Sequence, residues 1–341
     1  MAHVTSILPP MALSLSVPWA LAVPDCEAGT CDLEESSLLQ LHRVDEYNFG
    51  GIVPGDPLYT DLEGAHMPQL PFFGTVPANF YAGSAWPQCK KVVEHIRDQS
   101  KCGSCWAVGS ISTLNDRLCV MKNDTTTILS ADDPLANCNS TIDGSELPTC
   151  VRPDLGGCFG GQLEFVWKWY VEIGAVTGAG FLKAEKDAGA TCAPYPFPPC
   201  HDPAWAKSAA CNKAFATPPA FSRCPDKLFP VSYWQNKLKA KTWYKVPSDQ
   251  IQNEIMAHGS VSCQVSATCS MLNYTGGVYV PLGQVCGGHV MRIVGWGVEV
   301  DQDYWWVANS WGAQWGLQGF IKWIRGIDAQ GIESGVVAGL L

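Results

Sequence analysis

Charge is scarce in this chain. Asp, Glu, Lys and Arg supply 16% of its 341 residues, and 22 basic residues face 32 acidic ones, leaving a net charge of −10. No segment is strongly basic, so the electrostatic footprint of a nucleic-acid binder is missing. Long apolar runs are scarce as well. Met11–Val23 is apolar and uncharged, but it is short and Pro18 interrupts it. No later stretch approaches the roughly 20 apolar residues that a bilayer span needs, so no membrane-embedded role is expected. What is plentiful is apolar surface and cysteine. Hydrophobic residues make up 47% of the chain, with 14 Trp and 16 Cys. That is enough for one or two substantial cores, and so many cysteines suit an oxidising compartment. Ala20-Leu21-Ala22 fits a small-residue cleavage site, so residues 1–22 read as a signal peptide, with an uncleaved anchor as the alternative. Three N-x-S/T triplets begin at Asn123, Asn139 and Asn273 and are candidate glycosylation sites, each weak alone.

The most informative stretch is Cys102-Gly103-Ser104-Cys105-Trp106-Ala107. Downstream, Val108, Ile111, Leu114 and Leu118 recur at three- and four-residue steps and predict a helix. Cys105 then falls in its first turn, where unpaired N–H groups and the helix dipole favour a thiolate. Gly103 and Ser104 are small enough to let another backbone approach. A zinc or redox role for the C-x-x-C pair is disfavoured, because no second pair or histidines at similar spacing accompany it. No metal and no organic cofactor are expected. Two other runs supply complementary chemistry. His289 opens Gly287-Gly288-His289-Val290-Met291-Arg292-Ile293, and Asn309 lies twenty residues later in Val307-Ala308-Asn309-Ser310-Trp311-Gly312. An imidazole needs one tautomer and one orientation to take a thiol's proton, and a neutral amide oxygen can impose both.

These runs resemble the signatures of papain-family cysteine proteases. The resemblance is most specific to cathepsin B-like enzymes. It is carried by Val76-Pro77-Ala78-Asn79-Phe80, Trp86-Pro87-Gln88-Cys89, Ile96-Arg97-Asp98-Gln99 and Asn115-Asp116-Arg117-Leu118-Cys119, and it covers about three-quarters of the chain. It implies Cys105 as nucleophile, His289 as base and Asn309 as its orienting partner, with Trp311 covering that bond. Gln99, six residues before Cys105, would donate to the oxyanion together with the Cys105 amide. Cys158-Phe159-Gly160-Gly161 resembles the family's Cys-Asn-Gly-Gly turn, so Gly160 and Gly161, with Gly288, are expected to line the substrate cleft. His289 lies 184 residues after Cys105, more than the roughly 130–150 ordinary for the family, and an inserted loop over about 192–224 accounts for the excess.

The same resemblance implies an α+β fold: a papain-like pair of subdomains, helical in the first half and an antiparallel, barrel-like sheet in the second, with the active-site cleft between. Beyond the expected helices at Gly161–Ile173 and Ser248–Gly259, strand-like runs occur at Val290–Val294, Tyr304–Ala308, Phe320–Ile324 and Val336–Leu340. Residues 23–75, acidic and then rich in Gly and Pro, read as a propeptide that inhibits residues 76–341, the peptidase domain; a disordered tail is the alternative. The implied enzyme is a monomer in a lysosome-like compartment or outside the cell, acting on peptides and proteins. Implied disulfides are Cys89–Cys119, Cys102–Cys158, Cys192–Cys224 and Cys200–Cys211; the pairing of Cys138, Cys150, Cys263, Cys269 and Cys286 stays open. In cathepsin B the inserted loop carries two adjacent histidines that bind a substrate's terminal carboxylate. Here the run is Cys200-His201-Asp202-Pro203, so an endopeptidase is expected rather than a carboxydipeptidase, and His201 reads as an exposed loop residue. Gly335 stands where the related enzyme has an S2 glutamate, so apolar P2 residues are expected. A peptide ligase would show the same catalytic residues, and a non-catalytic binding or matrix protein on the same fold is a further alternative.

Overall fold

The computed structural model describes residues 64–71, 74–138, 141–142, 145–146, 156–181 and 190–341. The expected signal peptide, most of the expected propeptide, Asn139 and Cys150 lie outside them. The order of elements begins with β1 (Phe80–Tyr81), α1 (Ala82–Ala85), α2 (Lys90–Val93), α3 (Cys105–Lys122) and α4 (Asp132–Asn137), then the hairpin β2 (Thr141–Ile142) and β3 (Ser145–Glu146), and α5 (Leu163–Glu172). After the inserted loop with its short α6 (Pro203–Ala206) come β4 (Thr242–Lys245), α7 (Ile251–His258), β5 (Val261–Thr268), β6 (Val278–Tyr279), β7 (Val285–Glu299), β8 (Gln302–Ala308), β9 (Phe320–Ile324) and β10 (Val336–Leu340).

Helices dominate the first half and strands the second, as the periodicities predict. Each half has its own core. The helical core gathers Trp106, Ile111 and Leu114 of α3 with Val166, Trp167 and Tyr170 of α5. The sheet core gathers Ile255, Ile293, Trp305, Val307 and Trp323. The main sheet runs β4-β10-β5-β7-β8-β9-β6, with β1 added to β7. Every pairing in it is antiparallel except β6 with β9. This corrects the barrel-like expectation: the sheet is open, because β4 and β6 end the path and do not pair with each other. Ser248, whose position before Ile251 and Ile255 predicts a helix cap, also differs from expectation. It makes no side-chain cap and instead begins a 3-10 turn, Ser248–Gln250, that leads into α7.

The two halves meet where α3 crosses β7. Gly109 makes this possible, since a Cβ there would lie 2.9 Å from the Val290 carbonyl oxygen. One buried ion pair fastens the crossing, Arg292 of β7 donating to Asp116 of α3 at 2.5 Å, and a second ties α3 to α7, Arg117 donating to Glu254 at 2.5 Å. Buried guanidinium groups need such partners, because an unpaired buried charge costs several kcal/mol. Arg292 also donates to the Val93 and His95 carbonyls, and Arg117 to those of Ser260 and Gly339.

Candidate active site

Cys105 is the first residue of α3 and a partly exposed free thiol. The chain before it is held from several directions. Cys102 is disulfide-bonded to Cys158, and Gly103 N–H donates to the Cys158 carbonyl at 2.9 Å. Trp106 Nε1 donates to the Gly157 carbonyl at 3.0 Å. Gly161 lies flat on the same indole, where a Cβ would come within 2.3 Å of the ring. Gly160 has φ near +113°, a conformation that favours glycine. The two glycines therefore bring this loop against the start of the catalytic helix, next to the thiol.

His289 lies on β7. Val290, the next residue, belongs to the core against which Cys105 packs, and its backbone favours the charged form of the thiol. The imidazole Nε2 faces Asn309 Oδ1 at 2.7 Å, and both residues are 5% exposed. Asn309 Oδ1 also accepts the Ser310 N–H at 2.7 Å, so the oxygen is fixed as acceptor and Nε2 as donor. Nδ1 is left as the nitrogen available to the thiol. Trp311 lies over the imidazole with ring centroids 4.9 Å apart and keeps water from the bond.

Gln99 is also buried, and its orientation follows from its neighbours. Its Oε1 accepts the Ser310 hydroxyl at 2.6 Å, and its Nε2 donates one proton to the Cys102 carbonyl at 2.9 Å. The second Nε2 proton is available to an oxyanion. Tyr195, which the sequence does not single out, fixes this segment from beneath. Its hydroxyl donates to the Gln99 carbonyl at 2.8 Å and lies 2.7 Å from Ser104 Oγ. Ser310 and Tyr195 lie 211 and 96 residues from Gln99. Only the position of Ser310 beside Asn309 could have flagged it.

Burial sets the resting protonation. It pushes the Cys105 thiol up to about 11, while backbone hydrogen bonding at Val290, Trp106 and Cys105 pulls the other way. The helix-start donors thus act as anticipated, but desolvation outweighs them. Burial also pushes His289 down to about 4, opposed by the Asn309 hydrogen bond. Desolvation thus favours the uncharged form of each group.

The inserted loop is closed by Cys192–Cys224 and Cys200–Cys211, and Cys89–Cys119 also forms. Cys269 pairs with Cys286 and Cys263 stays a buried thiol, which resolves three of the cysteines left open; Cys138 is disulfide-bonded, and Cys150 is outside the described residues. His201 is not the exposed loop residue expected. Its Nδ1 lies 2.6 Å from Asp98 Oδ1 and its N–H donates to Asp98 Oδ2 at 3.0 Å, which latches the loop beside Gln99. Asp202 caps α6 by accepting the Ala204 N–H, and supplies no positive charge. Gly335 lies two strands from His289: Gln264 of β5 donates to its carbonyl, and Gln264 is in register with Val290. Glu333 cannot replace the missing S2 glutamate, since Trp305, Gly326 and Asp328 all donate to it in the buried interior. Asn123 and Asn273 are exposed.

A family model described as papain family cysteine protease matches residues 82–340. Cathepsin B-like cysteine proteinase 6 of Caenorhabditis elegans is 37% identical over 271 residues, 78% of this chain and 66% of that protein, so the chain spans just under two thirds of that relative's length. The cathepsin B-like cysteine proteinase of Schistosoma japonicum is 37% identical over 270 residues, 78% of this chain and 73% of that one. Among solved structures, procathepsin B S9 from Trypanosoma congolense superposes with a TM-score of 0.63 at 27% identity, covering 81% of this chain and 82% of that one.

Proposed function

The chain belongs to the papain family of cysteine proteases, and on that premise we propose that it is a cysteine endopeptidase made as a secreted or lysosomal zymogen. Residues 1–22 act as signal peptide, residues 23–75 as an inhibitory propeptide and residues 76–341 as the monomeric enzyme, glycosylated at Asn123, Asn139 and Asn273. The observation that carries the reading is the couple His289–Asn309, 2.7 Å apart beneath Trp311, with the adjacent Val290 in the core against which Cys105 packs.

In the proposed reaction the Cys105 proton passes to His289 Nδ1 as Sγ attacks the scissile carbonyl carbon. The displaced π pair moves to the oxygen, which meets the free Gln99 Nε2 proton and the Cys105 N–H. One such donor supplies about 3 kcal/mol of transition-state stabilisation. Collapse expels the amine, which takes its proton from imidazolium. Water, deprotonated by His289, then hydrolyses the thioester. Asn309 accepts from Nε2 throughout and stabilises the positive ring.

Endopeptidase rather than carboxydipeptidase activity is favoured by the loop. Asp202 and Pro203 occupy the positions where a substrate carboxylate would need a cation, and His201 is engaged with Asp98. Gly335, with Glu333 turned inward, favours apolar P2 residues. The test uses processed protein and its Cys105→Ala variant, an internally quenched peptide with a blocked C-terminus, and an N-blocked peptide with a free C-terminus. Cleavage of the first alone, lost with Cys105, is expected. Sequential release of dipeptides from the free C-terminus would overturn the endopeptidase reading.

A further inference from the structure

β7 reaches His289 through a stretch with little side-chain packing. Gly287 and Gly288, immediately before His289, have no side chain, and a glycine backbone has the most freedom to lose on folding. Val285, which starts the strand, is exposed. The register slips here as well. Gly287 pairs with Ala267 and Val285 with Thr268, so Cys286 is the extra residue of a β-bulge. It lies three residues, about 10 Å, from His289 along the strand. Its disulfide to Cys269, with Cα atoms 5.2 Å apart, ties the bulge to the end of β5. The Cys269 N–H also donates to the Gln284 carbonyl at 3.0 Å.

The far end of this staple is firm. Cys269 opens a 3-10 turn, Cys269–Asn273, whose Met271 is buried in the sheet core. The hydroxyl of Thr268, just before it, lies 2.6 Å from that of Tyr279. From the same turn the Leu272 carbonyl accepts Trp315 Nε1 at 3.2 Å. Trp315 meets Trp311 edge to face, with ring centroids 5.2 Å apart, and Trp311 covers His289. The disulfide therefore closes a ring of contacts. It runs from His289 along β7 to Cys286, across to Cys269, through the turn to Trp315, and back through Trp311 to the imidazole.

We propose that Cys269 and Cys286 are positioning residues for His289, and that a thiol reductant which opens their disulfide lowers the peptidase activity. The proposal rests on the proposed Cys105–His289 reaction. Both cysteines are half-buried rather than enclosed, which leaves the bond within reach of a small dithiol. The dithiol attacks one sulfur as a thiolate, forms a mixed disulfide and then closes to its own cyclic disulfide. Two electrons pass to the protein, and Cys269 and Cys286 become thiols. The glycine stretch then regains its freedom, and the imidazole loses its fixed place under Trp311. A displacement of about 1 Å in a catalytic group costs up to about 100-fold in rate. Full activity thus requires Cys105 reduced and Cys269–Cys286 oxidised at once, which confines it to a window of reducing strength.

The test uses processed protein and its Cys269→Ser/Cys286→Ser double variant. Cleavage of a quenched peptide by the wild type should rise with dithiothreitol and then fall about tenfold at higher concentration. The double variant should start about tenfold lower and show no such fall. A falling limb shared by the double variant places the loss in another disulfide and overturns the proposal, as does a double variant as active as the wild type. A second arm needs no turnover. Alkylation of Cys105 by iodoacetamide at mildly acidic pH, mapped by mass, should slow about tenfold in the double variant, because the imidazole no longer meets the thiol in one place. A staple that only stabilises the fold would lower the urea midpoint and leave this rate unchanged. Alkylation at the wild-type rate overturns the positioning role, whatever the turnover. If no peptide is cut but alkylation slows in the double variant, the positioning stands and the proposed reaction fails. If both proteins cut and alkylate alike, the reverse holds.

Discussion

In the proposed mechanism Asn309 works on His289 by making the charged ring less costly. Burial drives the imidazole down to about 4, and the hydrogen bond to Asn309 is what opposes it. A base must be neutral to accept a proton, so the rate rises as pH climbs through the His289 pKa and holds above it. Removing the amide oxygen in Asn309→Ala lowers that pKa further. The acid limb of kcat/KM should move to lower pH, while the plateau falls about 10- to 100-fold because imidazolium is no longer stabilised. A limb that moves upward would contradict this role. Cys105, His289, Asn309 and Gln99 were legible in the sequence because each sits in a short local run. Tyr195 and the Asp98–His201 latch were not, because their partners lie 96 and 103 residues away and no local pattern marks them.

At the scale of elements, the proposed mechanism depends on how α3 lies against β7, since one carries the thiol and the other the imidazole. Arg292 is three residues beyond His289 and is tied to Asp116 on α3. Arg292→Met would leave Asp116 buried without its cation, and a loss of about 3–5 kcal/mol in urea unfolding is expected. Adding Asp116→Leu should return part of that stability, and a double variant no more stable than Arg292→Met would count against the buried-pair account. The helices at Cys105–Lys122 and Leu163–Glu172 were readable from their spacing, and the strands at Phe320–Ile324 and Val336–Leu340 from their β-branched and aromatic runs. β5 was not. Its buried positions include Ser262, which bonds to Thr113 and Trp167 and so breaks the apolar alternation that marks a strand. The open sheet could not be read either, because strand runs show neither which strands end it nor that the ends fail to meet.

For the whole molecule, Asp132 sets a testable pH dependence. It is 4% exposed, its Oδ1 has no hydrogen-bond partner among the described residues, and burial, with Asp133 beside it, pushes its carboxyl up to about 8. A raised pKa contributes stability that is complete below the unfolded value of 3.8 and is lost as pH rises toward 8. Asp132→Asn removes that loss. The variant should match the wild type near pH 4 and exceed it by about 3 kcal/mol at pH 7 in urea unfolding. His95 and His289, both lowered to about 4 by burial, weaken the fold in acid, but equally in both proteins, so they cancel from the difference. A variant less stable at pH 7 would contradict the assignment. The central claim, that Cys105 carries the acyl group, is tested most directly by acid-quenching the enzyme during turnover of an activated ester of a blocked apolar dipeptide and mapping the adduct by mass. Among the described residues the free thiols are Cys105 and Cys263. The account predicts a thioester on Cys105, absent in Cys105→Ala and diminished in His289→Ala. An adduct on Cys263, or turnover with no adduct that survives the loss of Cys105, would contradict it.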